Sequence, residues 1–163
     1  MKLLVVGGGG REHALIQALK KNPEVTEIFA LPGNGGIASD AVCVDIGAKD
    51  IAAQVKFAVE NKIDYAVVAP DDPLCLGAVD ELTAAGIPCF GPDKRAAIIE
   101  GSKVFSKNLM KKYGIPTADY ETFDDPAKVM DYIRSKGKYP VVIKADGLAL
   151  GKGVLICQNE QEA

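Results

Sequence analysis

The chain has 163 residues, 48% hydrophobic and 25% charged, the balance of a folded globular protein rather than a disordered one. Nineteen Lys and Arg against 22 Asp and Glu leave a net charge of −3 with no long run of either sign, which argues against a general nucleic-acid surface. No apolar run approaches the ~20 residues of a bilayer span, and four apolar residues after Lys2 are too few for a secretory signal, so the expected setting is cytoplasmic, with no membrane partner. The four cysteines (Cys43, Cys75, Cys89, Cys157) lack C-x-x-C spacing and read as reduced, mostly buried thiols. With His13 as the single histidine, a histidine-rich metal site is excluded.

Leu3-Leu4-Val5-Val6 is wholly apolar, as a strand covered on both faces of a parallel sheet would be. Four glycines separate it from a helix beginning near Arg11, with Ala14, Leu15, Ala18 and Leu19 as its expected apolar stripe and Asn22-Pro23 as its stop. A strand is expected over Glu27–Leu31, followed by the turn residues Pro32-Gly33-Asn34-Gly35-Gly36. A helix is expected over Lys49–Glu60, facing inward with Ile51, Ala52, Val55 and Val59, and then a buried strand over Tyr65–Ala69. Asp72 is placed to cap a helix starting at Pro73, with Leu74, Ala78 and Leu82 inward and Gly86 at its end. Pro88-Cys89-Phe90 then starts a short strand. Strands alternating with helices at this spacing mean an α/β fold, an open parallel sheet with helices on both faces, over the first ~95 residues.

The character then changes. A helix opens at Gly101-Ser102, with Phe105, Leu109 and Tyr113 on one face and Lys103, Lys107 and Lys111 on another. A strand is expected near Tyr120, and a further helix starts at Asp124-Asp125-Pro126 with Val129, Met130 and Ile133 inward. Val141–Lys144 and Val154–Ile156 read as two strands joined by a glycine-rich connection. The expected domains are therefore 1–100 and 101–163, the second an incomplete one.

Two glycine-rich loops carry the chemistry. Gly7-Gly8-Gly9-Gly10, between a strand and a helix, lets backbone amides approach an anion at the positive end of the helix dipole. The dinucleotide fingerprint fails, because Glu12 stands where its third glycine belongs and the next strand tip, Leu31-Pro32, has no carboxylate. A phosphate-bearing small molecule is the expected ligand, with a purely structural turn as the other possibility. Asp71, beyond a neighbouring strand tip, is a candidate for sugar hydroxyls, whereas the capping position accounts for Asp72. His13 fits packing or capping better than catalysis. The second loop, Asp146-Gly147-Leu148-Ala149-Leu150-Gly151-Lys152-Gly153, departs from a P-loop in spacing and in the strand that follows. It suits a flap over a nucleoside triphosphate. Lys144, ending an apolar strand, is costly to bury unless it meets an anion, and a snorkelling lysine is the other reading.

Gly7-Gly8-Gly9-Gly10-Arg11-Glu12-His13-Ala14-Leu15, Pro32-Gly33-Asn34-Gly35-Gly36, Pro70-Asp71-Asp72-Pro73-Leu74, Gly91-Pro92 through Lys103, and Lys144 through Gly153 together resemble the glycinamide ribonucleotide synthetases (phosphoribosylamine–glycine ligases) of the ATP-grasp superfamily. The resemblance runs the length of the chain. It implies ATP-dependent joining of glycine to 5-phosphoribosylamine through a glycyl phosphate, in purine biosynthesis. It implies that Gly8, Gly9, Gly10 and Arg11 take the ribose phosphate with Asp71 near the ribose. Lys103, Lys144, Asp146, Gly147, Gly151, Lys152 and Gly153 would serve ATP. Its enzymes are more than twice as long, which implies that this chain alone is inactive and that the ligands of Mg²⁺ (or Mn²⁺) lie outside it. A non-catalytic sugar-phosphate or nucleotide-binding module is the alternative. A nicotinamide-dependent oxidoreductase is disfavoured by the failed fingerprint.

Overall fold

Leu3, Leu4, Val5 and Val6 lie in β1 (Lys2–Gly7) and are all buried, because β1 is central in its sheet and both of its faces are covered. This is seen in a computed structural model that describes residues 1–149 and 152–163. The chain divides into two units, Met1–Ile98 and Ile99–Ala163.

In the first unit β1 is followed by α1 (Gly10–Leu19), β2 (Glu27–Pro32), a 3-10 turn (Ile37–Ser39), β3 (Val42–Cys43), α2 (Ile51–Glu60), β4 (Tyr65–Val68), α3 (Asp71–Leu76), α4 (Ala78–Ala84), β5 (Cys89–Phe90) and α5 (Lys94–Gly101), whose last turn passes into the second unit. All four strand pairings are parallel, in the order β3-β2-β1-β4-β5. Period-two alternation divides the core. Leu4, Val6, Phe29, Leu31, Ala66 and Val68 pack with Ala58 of α2 and Leu82 of α4, while Leu3, Val5, Ile28, Ala30 and Val67 pack with Ile16 of α1 and Ile37. The strand order reverses between β1 and β4, which puts a crevice at their carboxyl ends.

Several local expectations are corrected. Ala14 and Ala18 are exposed, and α1 buries Ile16 and Glu12 instead. In α2, Ala52 and Val59 face solvent, and the fully buried positions are Gln54 and Ala58. Gln54 is accommodated because its Nε2 donates to the carbonyls of Gly47 (2.9 Å) and Ala48 (2.8 Å). The helix expected after Pro73 begins at Asp71 and is broken at Gly77, whose left-handed φ of 96° separates α3 from α4. Asp72 is thus inside the first turn rather than its cap, and its carboxylate pairs with Lys49 at 2.6 Å.

The second unit holds α6 (Lys103–Lys112), α7 (Pro126–Lys136), β6 (Val141–Lys144) and β7 (Val154–Cys157). Ser102 caps α6 by accepting from Phe105 N at 3.1 Å, and Asp125 caps α7 by accepting from Ala127 N at 2.8 Å, with Pro126 in the first turn. β6 and β7 form a two-stranded antiparallel sheet with Lys144 opposite Val154. Val142, Leu155 and Ile156 are exposed. The strand expected near Tyr120 does not form. Side chains fix that segment instead: Lys107 Nζ donates to Thr117 Oγ1 (2.6 Å) and Ala118 O (2.9 Å), and Tyr120 Oη donates to Asn108 Oδ1 (3.0 Å). Lys107 is therefore engaged rather than merely solvated.

Candidate functional site

Three loops meet at the carboxyl ends of the first unit's central strands: 7–10 after β1, 33–36 after β2 and 69–71 after β4. Parallel register sets Gly7 beside Pro32, and Gly33 N donates to Gly7 O at 3.1 Å. A side chain on Gly8 would run into the Gly33 carbonyl, and one on Gly7 would meet Glu12 Cγ at 2.7 Å. The glycines are there because two backbones and a buried carboxylate share one small space.

Glu12 Oε2 accepts from Gly9 N at 2.7 Å, so the cap of α1 is closed by its own first turn. Of the amides predicted to take a phosphate, that of Gly9 is therefore occupied. Among the described residues, no hydrogen-bond acceptor lies on the amides of Gly10 and Arg11, which face out from the positive end of a ten-residue helix. Arg11 adds an exposed guanidinium beside them. Asp71 is half-buried at the start of α3, where its Oδ1 accepts from the Asp72 amide at 3.1 Å.

The sequence reading missed two parts of this site. Asn34 Nδ2 donates to Gly8 O at 2.7 Å, and Asn34 Oδ1 accepts from Ile37 N at 2.9 Å. Asp40 accepts from Lys20 Nζ and pairs with His13 Nε2, both at 2.7 Å, holding the 3-10 turn against α1. The hydrogen bond from Lys20, followed by that with His13, holds the Asp40 carboxyl well below the usual carboxylate range. An asparagine between glycines was a visible turn signal, but its partner Gly8, 26 residues away, was not.

The second unit gathers a separate set. Lys103 Nζ donates to Gly147 O at 2.7 Å, and Asp146 accepts from Ser102 Oγ at 3.1 Å and Val104 N at 3.2 Å. The Val104 amide leads the interactions that lower the Asp146 pKa. Asp146 thus anchors the loop to the start of α6. Ala145 N donates to Gly153 O at 2.8 Å, closing the base of the connection between β6 and β7. Lys144 is exposed, which removes burial as the reason for expecting an anion at it. Among the described residues, neither Lys144 nor Lys152 has an ion-pair partner. Gly151, also named as a candidate, lies outside the described residues, as does Leu150. No group of three His, Cys, Asp or Glu among the described residues stands close enough to hold a metal ion. The Mg²⁺ or Mn²⁺ implied by the resemblance therefore has no fitting ligand set among them, and no step is assigned to it. No helix among the described residues is long and apolar enough to cross a membrane.

Residues 1–100 match the family described as phosphoribosylglycinamide synthetase, N domain, and residues 101–163 match its ATP-grasp (A) domain. The chain is 49% identical over 163 residues to the phosphoribosylamine–glycine ligase of Caldanaerobacter subterraneus, covering 100% of this chain and 39% of that one. A crystal structure of phosphoribosylamine–glycine ligase from Thermotoga maritima superposes with a TM-score of 0.76 at 34% identity, over 99% of this chain and 37% of the other. An N5-carboxyaminoimidazole synthase from Aspergillus clavatus, solved with ADP and 5-aminoimidazole ribonucleotide, gives 0.71 at 20% identity, over 99% and 41% of the two chains, and shows the shared fold. The chain spans about two fifths of the length of the curated relatives it matches.

Proposed function

The chain belongs to the phosphoribosylglycinamide synthetase family, and we propose on that premise that it forms part of a cytoplasmic enzyme joining glycine to 5-phosphoribosylamine with ATP. The glycine carboxylate oxygen attacks the γ-phosphorus, ADP leaves, and the amine nitrogen of phosphoribosylamine then displaces phosphate from the glycyl phosphate, losing a proton to leave the amide. Such a reaction depends on positioning and charge neutralisation more than on acid–base groups, in keeping with a chain whose one histidine is tied to Asp40.

In the first unit the sugar phosphate sits on loop 8–11. The observation that carries this reading is the pair of open amides at Gly10 and Arg11, at the positive end of α1 and at the sheet's switch point. Gly8 and Gly9 admit the ligand by lacking side chains, and Asp71 accepts from ribose hydroxyls. In the second unit Lys144 and Lys152 neutralise nucleotide phosphates. Lys103 and Asp146 act by fixing the loop of Gly147 and Gly153 to α6. A sugar-phosphate module without catalysis is not favoured, because the relatives that cover the whole chain are ligases by name.

Titration of the chain with ribose 5-phosphate, followed through backbone amide shifts, tests the first site. The amides of Gly10 and Arg11 are expected to move most. Absence of any shift there at millimolar ligand overturns the assignment.

A further inference from the structure

The peptide joining Gly8 to Gly9 is held by both of its polar groups. Its carbonyl accepts from Asn34 Nδ2 at 2.7 Å, and its N–H donates to Glu12 Oε2 at 2.7 Å. Both holders are themselves fixed. Glu12 is only 4% exposed and packs against Gly7, with Oε1 buried and unpartnered among the described residues. Asn34 is anchored through Oδ1 to Ile37 N (2.9 Å) and through its own carbonyl to Ala38 N (3.0 Å).

Such fixing has a purpose in a run of four glycines. A peptide between two glycines rotates at little steric cost, so an unrestrained Gly8 carbonyl would be free to turn toward an incoming anion. A carbonyl oxygen facing a phosphate repels it, whereas one committed to an amide donor cannot. We propose that Asn34 is a positioning residue for the phosphate loop. Its side-chain amide keeps the Gly8 carbonyl turned toward the 33–36 loop, leaving the open amides of Gly10 and Arg11 to meet the phosphate without a competing acceptor. This rests on the sugar-phosphate reading of loop 8–11. It adds a specific residue, 26 positions away, that prepares the loop without touching the ligand.

The substitution Asn34→Asp is the sharpest test. It preserves size and the acceptor for Ile37 N, so the turn at 34–37 survives, while setting a carboxylate against the Gly8 carbonyl. Ribose 5-phosphate binding to the chain is measured by calorimetry, and the melting temperature is measured in parallel. The expected result is at least a tenfold loss of affinity with the melting temperature within a few degrees of the parent. Asn34→Ser supplies a second reading if the aspartate variant melts too low to assay, since a serine hydroxyl can still accept from Ile37 N but is too short to reach Gly8 O. Its affinity should also fall severalfold. A folded variant of either kind that binds as the parent does overturns the proposal, and a drop in melting temperature with unchanged affinity would make Asn34 a structural residue only. Failure of the parent itself to bind overturns the sugar-phosphate reading first, and the proposal with it.

Discussion

A methyl group added at Gly8 would strike the carbonyl of Gly33, a backbone atom held in place by the pairing of Gly33 N with Gly7 O. Gly8→Ala is therefore expected to push the two loops apart and lower ribose 5-phosphate affinity at least roughly tenfold, about 1.4 kcal/mol; calorimetry giving the parent's affinity would contradict this. Asp40 makes a pH-dependent contribution with a definite sign. Its folded carboxyl titrates below its unfolded one, so the stabilisation is present above the ordinary carboxylate range and is lost as pH falls through the folded value. Asp40→Asn should melt below the parent at pH 7, and the gap should close as melts are repeated at pH values below about 4. A gap that widens on acidification would show that Lys20 and His13 do not act through the ionised carboxylate.

Among the helices, α2 carries the least expected feature, a fully buried glutamine in its core face. Gln54 Nε2 satisfies the carbonyls of Gly47 and Ala48, tying the chain entering α2 to the helix itself. Gln54→Leu keeps the volume but strands both acceptors, at a cost of about 2 kcal/mol in urea unfolding. A neutral substitution would mean that the carbonyls find water. The β6–β7 pair supplies the opposite case. Lys144 is exposed at the end of β6 and has no ion-pair partner among the described residues, so Lys144→Met should leave the melting temperature unchanged. On the proposed function it should lower ATP affinity roughly tenfold. Loss of stability with nucleotide binding intact would assign the lysine to the fold.

Across the whole molecule, the two units differ in how completely their strands are covered. β1 has partners on both edges and apolar layers on both faces, while β6 and β7 have one partner each and leave Val142, Leu155 and Ile156 exposed. Opening a two-stranded sheet breaks fewer buried contacts. Hydrogen exchange should therefore be slowest at Leu4–Val6 and Ala66–Val68 and faster throughout Val141–Lys144 and Val154–Cys157. Equal protection in the two sheets would contradict that ordering.

The sequence alone determined the parallel α/β sheet, because the apolar runs at Leu3–Val6 and Tyr65–Ala69 alternate with helical patterns at the spacing of βαβ units, whose strands are covered on both faces. It also located the two loops, since glycines clustered between elements mark close backbone approach whatever the contacts turn out to be. Helix starts with a proline or a capping hydroxyl were legible at Ser102 and Asp125 for the same local reason. Decisions that depend on distant partners were not legible. Glu12 is buried because the Gly9 N–H donates to its carboxylate, and Gln54 because the carbonyls of Gly47 and Ala48 accept from its amide, which no periodicity of apolar residues reveals. The 120 region stays irregular because Lys107 and Asn108 hold it by their side chains. Asn34 reaches the 7–10 loop only because parallel pairing sets the ends of β1 and β2 side by side, and a contact across 26 residues exists only once the sheet has formed.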